Sequence, residues 1–347
     1  MSVYHGKKLK IIVTGKSHGE KISASIKGLK GFTFDEKEVE DMLLRRSPSG
    51  KAGATERTEK DEPYYVKGVK NGRITGDVKI EFYNTDVKSE DYKDLIGIPR
   101  PSHADVGRYF KDGEIDFTGG GEYSGRVTVA FCAVGAICKS VLEKYYGVRI
   151  SAYPSSVGDK FIKSYKTPEK RGASQAEIDE YVAAVKSDGD SVGGRIECVV
   201  KNCPKGLGGS LFDGLESKIS SLCYAVPAVK GVEFGTGFGL CSLLGSEAND
   251  EMRYDKENLV FESDNDGGIY GGISAGEITF AVAVKPTPSI AKMQNSVNLL
   301  TGENSAISVY GRHDACVALR AAPLIEAAAA IAISDEVLYE NDRRIEK

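Results

Sequence analysis

The 347-residue sequence contains no tryptophan, only four histidines and only four methionines. Its seven cysteines are scattered along the chain, and none of them forms a CxxC pair. Because histidine and cysteine are the usual ligands of structural zinc, this distribution disfavours a zinc site, and we expect no bound metal. An odd number of scattered cysteines is instead typical of the reduced, buried thiols of a cytoplasmic protein.

Long apolar runs and a surplus of charge are also missing. The longest nearly uniform apolar stretch, Ala327–Ile333, is much shorter than the about 20 residues that cross a bilayer. The start, Met1–Leu9, is charged and lacks the apolar core of a secretory signal. A formal net charge of −4 does not favour a general nucleic-acid binder. We therefore expect a cytoplasmic protein with a small-molecule substrate and no nucleic-acid or membrane partner.

What the sequence does contain is a mixture of strands and long helices. Runs of β-branched and apolar residues predict strands at Leu9–Thr14, Ser23–Ile26, Tyr64–Val69, Val78–Tyr83, Val148–Ala152, Arg195–Val200, Val229–Phe234 and Glu277–Lys285. Helical spacing and capping signals predict helices at Asp35–Arg46, Arg126–Tyr146, Ser174–Val185, Phe212–Ala225 and Asp314–Glu340, the last kinked or split at Pro323. No clean linker separates the halves. We therefore expect an α/β or α+β layered fold, with one domain over 1–347.

Three of the histidines lie in turns beside small residues. His18 is part of GKSHG at 15–19, His103 is part of RPSHAD at 100–105, and His313 is part of GRHD at 311–314. Imidazole titrates near neutral pH, so histidine is the usual proton donor or acceptor in a catalytic site. Taken singly, each histidine is also compatible with a surface or structural role.

Glycine-rich turns form a second group of candidates. Gly119–Gly121 precede Ser124, Arg126 and a helix, and such a helix start suits a phosphate. A second glycine-dense segment occupies 266–274, and Lys285–Ser289 ends a predicted strand with a cation and hydroxyls. None of these matches GxxxxGK[ST] or a strand–GxGxxG–helix unit, so neither a P-loop nor a Rossmann fold is supported. Each turn alone is compatible with a plain structural role.

Arginines form the third group. The guanidinium fork binds carboxylates and phosphates in a bidentate manner. The arginines of the polar segments are Arg45, Arg46, Arg57, Arg100, Arg126, Arg312 and Arg320. Three of them share segments with the histidines or the triple glycine, which favours an anion-binding site.

These segments, in this order, resemble the chorismate synthase family. The matching motifs run from position 15 to position 328: GKSHG at 15–19, RRSP at 45–48, Thr55–Asp61, NTD at 84–86 with Asp91 and Tyr92, RPSHAD at 100–105, GGGEYSGR at 119–126, GDSVGG at 189–194, GLGGSLFDGLESKI at 206–219, AVKGVEFGTGF at 228–238, DNDGGIYGGISAG at 264–276, KPTPSI at 285–290 and GRHDACVALRAAPLIEAA at 311–328. Each motif alone is weak, but a dozen in one order identify the chain with this family.

The resemblance implies a fold, a reaction and a cofactor. The fold would be a β-α-β sandwich with two halves related by a pseudo-two-fold axis, assembled as a cytoplasmic homotetramer. The reaction would be the anti-1,4-elimination of phosphate from 5-enolpyruvylshikimate 3-phosphate, which gives chorismate in the shikimate pathway of aromatic amino acid biosynthesis. This lyase would be a flavoprotein that needs reduced FMN without net redox change. NADPH is a candidate reductant for that FMN.

The resemblance also implies roles for individual residues. His18 would assist the departing phosphate, His103 would protonate the reduced flavin, and Asp314 would take part in removal of the C6 proton. Ser17 and Ser124 would support these groups by hydrogen bonding. Anions of the substrate or flavin would be held by Arg46, Arg57, Arg100, Arg126 and Arg312. The flavin would contact Glu122, Tyr123, Ser124, Glu247, Ala248, Gly271, Lys285, Pro286, Thr287, Pro288, Ser289 and Arg312.

Several positions depart from the family pattern. Glu122 stands where arginine is common, and Lys16 stands where an acidic residue is common. Ser47 and Lys51 replace frequent arginines of the basic loop. Two other interpretations therefore remain open. One is a flavin oxidoreductase with net redox turnover, and the other is a binding protein that senses flavin or phosphate.

Overall fold

The computed structural model describes residues 1–48, 50, 53–55, 60–85, 96–117, 119–311 and 313–345. Strands and helices are interspersed along the chain, and the last strands follow one another directly. The strands are β1 (Ser2–His5), β2 (Lys10–Gly15), β3 (Lys21–Lys27), β4 (Tyr64–Lys70), β5 (Arg73–Tyr83), β6 (Arg149–Val157), β7 (Lys160–Phe161), β8 (Gly194–Lys201), β9 (Val229–Phe234), β10 (Met252–Asp255), β11 (Asn258–Phe261), β12 (Ile269–Tyr270), β13 (Ile273–Ser274), β14 (Ile278–Val284), β15 (Gln294–Asn298) and β16 (Glu303–Ile307). The α-helices are α1 (Glu36–Arg46), α2 (Asp105–Asp112), α3 (Thr128–Tyr146), α4 (Gln175–Ser187), α5 (Leu215–Tyr224), α6 (Gly245–Ala248) and α7 (Ala318–Ile345).

Two five-stranded antiparallel sheets form the framework. The first has the order β1-β2-β3-β5-β4 and the second has the order β7-β6-β8-β14-β9. In the first sheet Ile22, Ala24 and Ile26 of β3 pair with Phe82, Ile80 and Val78 of β5, and all six side chains are buried. Residues two apart point to the same side of a sheet, so this register turns one apolar face inward.

Helices fill the space between the two sheets. Helix α3 packs with the first sheet, and α5 and α7 pack with the second sheet. Helix α3 also packs along α7, and α1 packs against both of them. The approach of α3 to α7 is close, since an added Cβ at Gly135 would lie 2.1 Å from the Cβ of Ala327. One continuous core joins residues of both sheets and of the helices between them. The expected sandwich of two sheets around helices, with one sheet in each half of the chain, is confirmed.

Most predicted elements are present with shifted ends. Helix α1 starts after Asp35, whose carboxylate accepts a 2.9 Å hydrogen bond from the Lys37 backbone N–H, and it ends at Arg46 as predicted. Helix α7 begins at Ala318, later than predicted, and continues through Pro323, so the helix is not split in two there. A proline removes one backbone hydrogen bond, and the packing of a buried helix on both sides compensates for that loss. Asp314 consequently lies in the turn before the helix.

The apolar helix α3 corrects the sequence estimate of the longest apolar segment. Together with its preceding turn it covers Gly125–Tyr146, which by length and composition alone is long enough to cross a membrane. Its most apolar window is 78% buried within the protein. Contact with both α1 and α7 accounts for this composition, because a helix covered all round is apolar all round.

Candidate active site

Turns from distant parts of the chain meet around a cavity of about 680 Å³. Most of the predicted site residues line it: Ser17, His18, Arg46, Arg100, His103, Glu122, Tyr123, Ser124, Arg126, Lys285, Thr287, Pro288, Ser289 and Asp314. They follow β2 and β14, end α1, or precede α2, α3 and α7. Loops at the ends of rigid elements are where binding groups usually converge.

Six predicted residues do not belong to this described cavity wall. Glu247, Ala248 and Gly271 lie elsewhere in the chain, and Pro286 lies between the lining residues Lys285 and Thr287 without lining the cavity itself. Arg57 and Arg312 fall outside the described residues. Glu247 accepts a 2.9 Å hydrogen bond from the Leu244 backbone N–H, and the Ala248 carbonyl accepts one of 3.0 Å from the Asn265 side chain. Contact of Pro286, Glu247, Ala248 and Gly271 with a flavin therefore stays a prediction, because none of them lines this cavity.

The first catalytic candidate, His18, lies against the triple glycine. Gly119 has φ +80°, and a Cβ added there would be 2.5 Å from Cε1 of His18. The backbone N–H of Ser17 donates to the carbonyl of Gly121 at 3.1 Å, which ties the two turns together. Only a glycine permits both this backbone conformation and this approach.

The second candidate, His103, is held by a buried carboxylate. Nδ1 of His103 lies 2.6 Å from Oδ1 of Asp105. The same carboxylate accepts hydrogen bonds from Nε and Nη2 of Arg100 at 2.7 and 2.8 Å. Arg100 and Asp105 are both buried, so this predicted anion-binding arginine serves as part of the support for His103.

Burial and hydrogen bonding act in opposite directions on the pKa values of Asp105 and His103. Burial alone would raise the pKa of Asp105, but hydrogen bonds from His103 and Arg100 outweigh it and hold that pKa well below the ordinary value. Burial lowers the pKa of His103, the charges of Arg100 and Arg108 lower it further, and Asp105 opposes them. The net effect favours a neutral imidazole beside an ionised carboxylate.

A second buried carboxylate, Asp61, joins two arginines of the cavity wall. Arg46 donates to it from Nε at 3.1 Å and from Nη2 at 2.7 Å, and Arg126 donates from Nη1. Nη1 of Arg46 donates to the Thr128 hydroxyl at 3.1 Å and to the Gly125 carbonyl at 3.3 Å. Burial would raise the pKa of Asp61, and the two arginines lower it overall. Arg46 thus spends most of its donors on the protein itself.

The third catalytic candidate, Asp314, is fixed by two donors. Arg320 donates to its two oxygens at 3.0 and 2.5 Å, and the backbone N–H of Thr55 donates to Oδ1 at 3.1 Å. Arg320 lies in α7 and not in a polar loop as its sequence context indicated. The carboxylate is nearly buried at the base of the cavity wall.

The segment after β14 reaches across to the histidine turn. Nζ of Lys285 donates to the carbonyl of Ser102 at 2.6 Å. Ser102 has φ +59°, a left-handed conformation that non-glycine residues adopt rarely. Burial lowers the pKa of Lys285, and the charge of nearby Lys230 adds to this effect. Lys285 therefore braces a strained turn next to His103.

The cavity is built for an anionic ligand. The described residues that line it carry six cationic side chains, on Arg46, Arg100, Lys111, Arg126, Lys285 and Arg320, and three carboxylates, on Asp61, Glu122 and Asp314. Glu122, the departure from the family pattern, pairs with the Met1 ammonium at 3.2 Å. The positive excess favours phosphates and carboxylates inside the cavity.

Two hydroxyls of the wall are prepared for a ligand. Ser17 Oγ and Thr287 Oγ1 are buried and have no hydrogen-bond partner within the part of the chain that the structure describes. Buried polar groups are normally hydrogen-bonded, so both atoms leave room for a polar ligand. This is an observation that fits a phosphate-bearing cofactor as well as a substrate.

Sequence reasoning did not assign roles to Asp61, Asp105 and Arg320. The first two belong to motifs at 55–61 and 100–105, but the sequence does not reveal which arginine or histidine each carboxylate meets. Arg320 stood out only as one arginine among several. A carboxylate two residues after a histidine, on a helix start, is the one local signal that points to a His–Asp pair.

Comparisons with known proteins agree on one family. A family model described as chorismate synthase matches residues 9–338. Chorismate synthase of Thermococcus kodakarensis is 38% identical over 350 residues, with 96% of this chain and 97% of that protein covered. The enzymes of Methanosarcina acetivorans and Korarchaeum cryptofilum are 37% and 36% identical, each covering 96% of this chain and 95% or 96% of theirs. A crystal structure of chorismate synthase superposes with a TM-score of 0.74 at 25% identity, over 98% of this chain and 93% of that one.

Proposed function

Because the chain belongs to the chorismate synthase family, we propose that its cavity converts 5-enolpyruvylshikimate 3-phosphate into chorismate and phosphate. The enzyme is a lyase of aromatic amino acid biosynthesis. The observation that carries the proposal is the meeting of His18, His103 and Asp314 with an excess of cations around one cavity.

The charge of the cavity suits this substrate. The enolpyruvyl substrate carries two carboxylates and a phosphate, and the cavity wall has six cationic side chains against three carboxylates. Because Arg46 and Arg100 are largely engaged within the protein, they stabilise the substrate chiefly through their charge. Arg126, Lys285 and Lys111 complete the positive field, which is effective in a partly desolvated cavity.

Reduced FMN is the cofactor that we propose for the same cavity. Its phosphate and ring fit the Tyr123–Ser124 turn and the Lys285–Ser289 segment. They also fit the Ser17 and Thr287 hydroxyls, which have no hydrogen-bond partner among the described residues. When bound, the reduced flavin supplies the electron chemistry for cleavage of the carbon–oxygen bond and returns unchanged. The protein supplies placement, charge and exclusion of water.

Each catalytic candidate has a distinct task. His18, held against Gly119, assists the departing phosphate as an acid. His103, held by Asp105 at Nδ1, would exchange a proton with the flavin through Nε2. Asp314, oriented by Arg320 and Thr55, assists removal of the C6 proton. Ser17 and Ser124, which also line the cavity, would hydrogen-bond to the substrate or the flavin.

A second copy of the chain would supply the remaining flavin contacts. Glu247, Ala248 and Gly271 lie away from the cavity of their own chain, and near them Phe238 and Leu244 are 80% and 70% exposed. Large exposed apolar side chains favour a protein interface. We therefore propose a homotetramer in which these residues face the cavity of a neighbouring copy.

The remaining expectations are proposals of the same kind. One core joining both sheets supports a single domain over 1–347. Six of the seven free thiols are buried, which supports a reducing, cytoplasmic location. NADPH is proposed as a reductant for the flavin.

The direct test is an anaerobic assay with purified protein, the enolpyruvyl substrate and chemically reduced FMN. The expected result is release of phosphate with an equal amount of chorismate, while only a catalytic quantity of reductant is consumed. Stoichiometric consumption of NAD(P)H would indicate a flavin oxidoreductase. Tight binding of flavin without release of phosphate would indicate a binding protein.

A further inference from the structure

Asp105 is a buried carboxylate that lies behind the cavity wall, next to His103. We propose that Asp105 is a positioning residue that fixes His103 as the Nδ1–H tautomer, so that the Nε2 lone pair is the atom presented to the cavity. The tautomer itself follows from the geometry alone. Its importance for turnover rests on the proposed function.

The hydrogen bonds and the neighbouring guanidinium of Asp105 favour its ionised form. Oδ2 accepts from the Arg100 backbone N–H at 3.1 Å and from Nε at 2.7 Å. Oδ1 accepts from Arg100 Nη2 at 2.8 Å and lies 2.6 Å from His103 Nδ1. Asp105 is completely buried, so water does not replace any of these donors. A proton on Oδ2 would displace a donor of Arg100, and the guanidinium held against both oxygens favours the ionised carboxylate over an O–H that faces Nδ1.

The tautomer of His103 follows from that ionisation. A carboxylate without a proton only accepts hydrogen bonds, so the Nδ1 atom facing it must carry the hydrogen. In the neutral ring Nε2 then has no hydrogen and keeps its lone pair. Within the described chain Nε2 has no hydrogen-bond partner, and the ring lines the cavity with 16% of its side chain exposed.

The turn that carries His103 keeps the ring in this orientation. The His103 backbone N–H donates to the Arg100 carbonyl at 3.2 Å. This hydrogen bond closes the turn between His103 and the arginine that binds Asp105. Lys285 holds the preceding Ser102 carbonyl at 2.6 Å, and Ser102 is in the left-handed conformation. The ring is thus fixed at Nδ1 and at both sides of its backbone.

The surrounding charges define what the pair can do. Arg100 and Arg108 oppose a positive charge on His103, whereas Asp105 stabilises it. Nε2 therefore carries no proton in the neutral ring, and when it accepts one the positive imidazolium is stabilised by the Asp105 carboxylate. Such an arrangement suits a group that takes up a proton from a ligand and returns it.

The first experiment needs no variant. Solid-state ¹⁵N NMR of sedimented, [¹⁵N]histidine-labelled protein distinguishes protonated from unprotonated ring nitrogens, and only four histidines contribute. His103→Asn protein identifies the His103 signals by their loss. We expect a protonated Nδ1 and an unprotonated Nε2 at pH 8. An unprotonated Nδ1 with a protonated Nε2 would overturn the proposal.

The second experiment substitutes Asp105→Asn. Arg100 requires an acceptor, so the amide oxygen turns toward it and the amide NH₂ faces His103, which makes Nδ1 an acceptor and moves the proton to Nε2. We expect inversion of the ¹⁵N tautomer pattern and a fall of about 10²- to 10⁴-fold in phosphate release. An unchanged tautomer pattern, with a rate within a few-fold of wild type, would contradict the proposal.

Glu197→Gln is the matched control. Glu197 is a buried carboxylate of β8 that accepts from the Ser164 hydroxyl at 2.9 Å and the Tyr165 backbone N–H at 3.0 Å, outside the cavity. We expect the His103 signals and the rate to be unchanged in this variant. If Asp105→Asn does not fold, the wild-type tautomer still decides the question. A wild-type protein with the expected tautomer but without phosphate release would refute the proposed function and leave the role of Asp105 in setting the tautomer in place.

Discussion

The ring of His18 lies directly against the backbone of Gly119, where a Cβ would come within 2.5 Å of Cε1. Gly119→Ala therefore has to displace the imidazole in addition to straining a residue with φ +80°. We expect phosphate release to fall by about 10²-fold or more, the scale of losing a general acid. Steady-state assays with reduced FMN measure this loss.

Gly121→Ala is the control for that experiment. Gly121 also has a positive φ, +54°, but an added Cβ would meet nothing within 4 Å. Both variants carry a backbone penalty, and only Gly119→Ala moves His18. We expect Gly121→Ala to lose some stability and to keep most of its activity. Equal loss of activity in both variants would show that the contact with His18 is unimportant.

The three proton-transfer candidates are predicted to be individually essential. His18→Ala, His103→Ala and Asp314→Ala should each lose about 10²- to 10⁴-fold in turnover, because each removes a positioned acid or base. Circular dichroism and thermal unfolding check that the fold survives. His5→Ala is the control, since His5 is an exposed residue of β1. Near-normal turnover in all three variants would refute the assigned roles.

The presence of most elements and their core faces follow from the sequence because they depend on local patterns, whereas most of their ends are shifted. The alternation of Ile22, Ala24 and Ile26 marks the inner face of β3, and Asp35 marks the start of α1. The short helix α2 and the hairpins β10–β11 and β15–β16 were not predicted. Helix α2 has only eight residues and buries only Asp105, and the hairpin strands are mostly exposed or half-buried, so none of these segments contains a run of core residues.

The site was predictable as a set of residues and not as a set of contacts. His18, His103 and Asp314 were found through their motifs, and the structure brings them to one cavity. The pairing of Asp105 with His103, or of Asp61 with Arg46, depends on side-chain directions that the sequence does not encode locally. Glu247 was predicted to contact the flavin but does not line the cavity of its own chain, and the sequence alone does not reveal this position.

Acid stability should depend on Asp61. Its pKa is lowered in the folded protein, so the ionised carboxylate stabilises the fold above its unfolded pKa of about 4. That stabilisation is lost as the pH falls from about 4 through the lower folded pKa. Asp61→Asn should lower the free energy of unfolding at pH 7 by about 3–5 kcal/mol, since it leaves two buried arginines without their carboxylate. The substitution should also reduce the decline in the free energy of unfolding as the pH falls below about 4.

Urea unfolding between pH 7 and pH 3 measures both effects. Asp77→Asn is the control, because Asp77 pairs with Lys27 at an exposed position, with 44% of its side chain accessible. Such surface pairs contribute about 0–1 kcal/mol. If the free energy of unfolding falls as steeply in acid for Asp61→Asn as for the wild type, the assigned role of Asp61 is contradicted.

Flavin affinity should depend on the brace between Lys285 and the Ser102 carbonyl. Lys285→Met keeps the length of the side chain but removes its charge and its 2.6 Å hydrogen bond. We expect weaker binding of FMN, by about tenfold or more, since a charge-assisted hydrogen bond contributes about 1.5–3 kcal/mol. Titration of flavin fluorescence measures the affinity.

Lys230→Met separates the loss of this contact from the loss of one positive charge. Lys230 is an exposed neighbour whose charge lowers the pKa of Lys285. We expect this variant to bind FMN nearly as wild type does. Equal weakening in both variants would attribute the effect to general charge and not to the brace.

The most direct test of the account is a crystal structure of the protein with FMN and the enolpyruvyl substrate. We expect both ligands in the cavity of about 680 Å³, with His18, His103 and Asp314 in contact with them. Nε2 of His103 should face the flavin while Nδ1 stays on Asp105. Flavin bound on another face of the protein, with these three side chains away from both ligands, would contradict it.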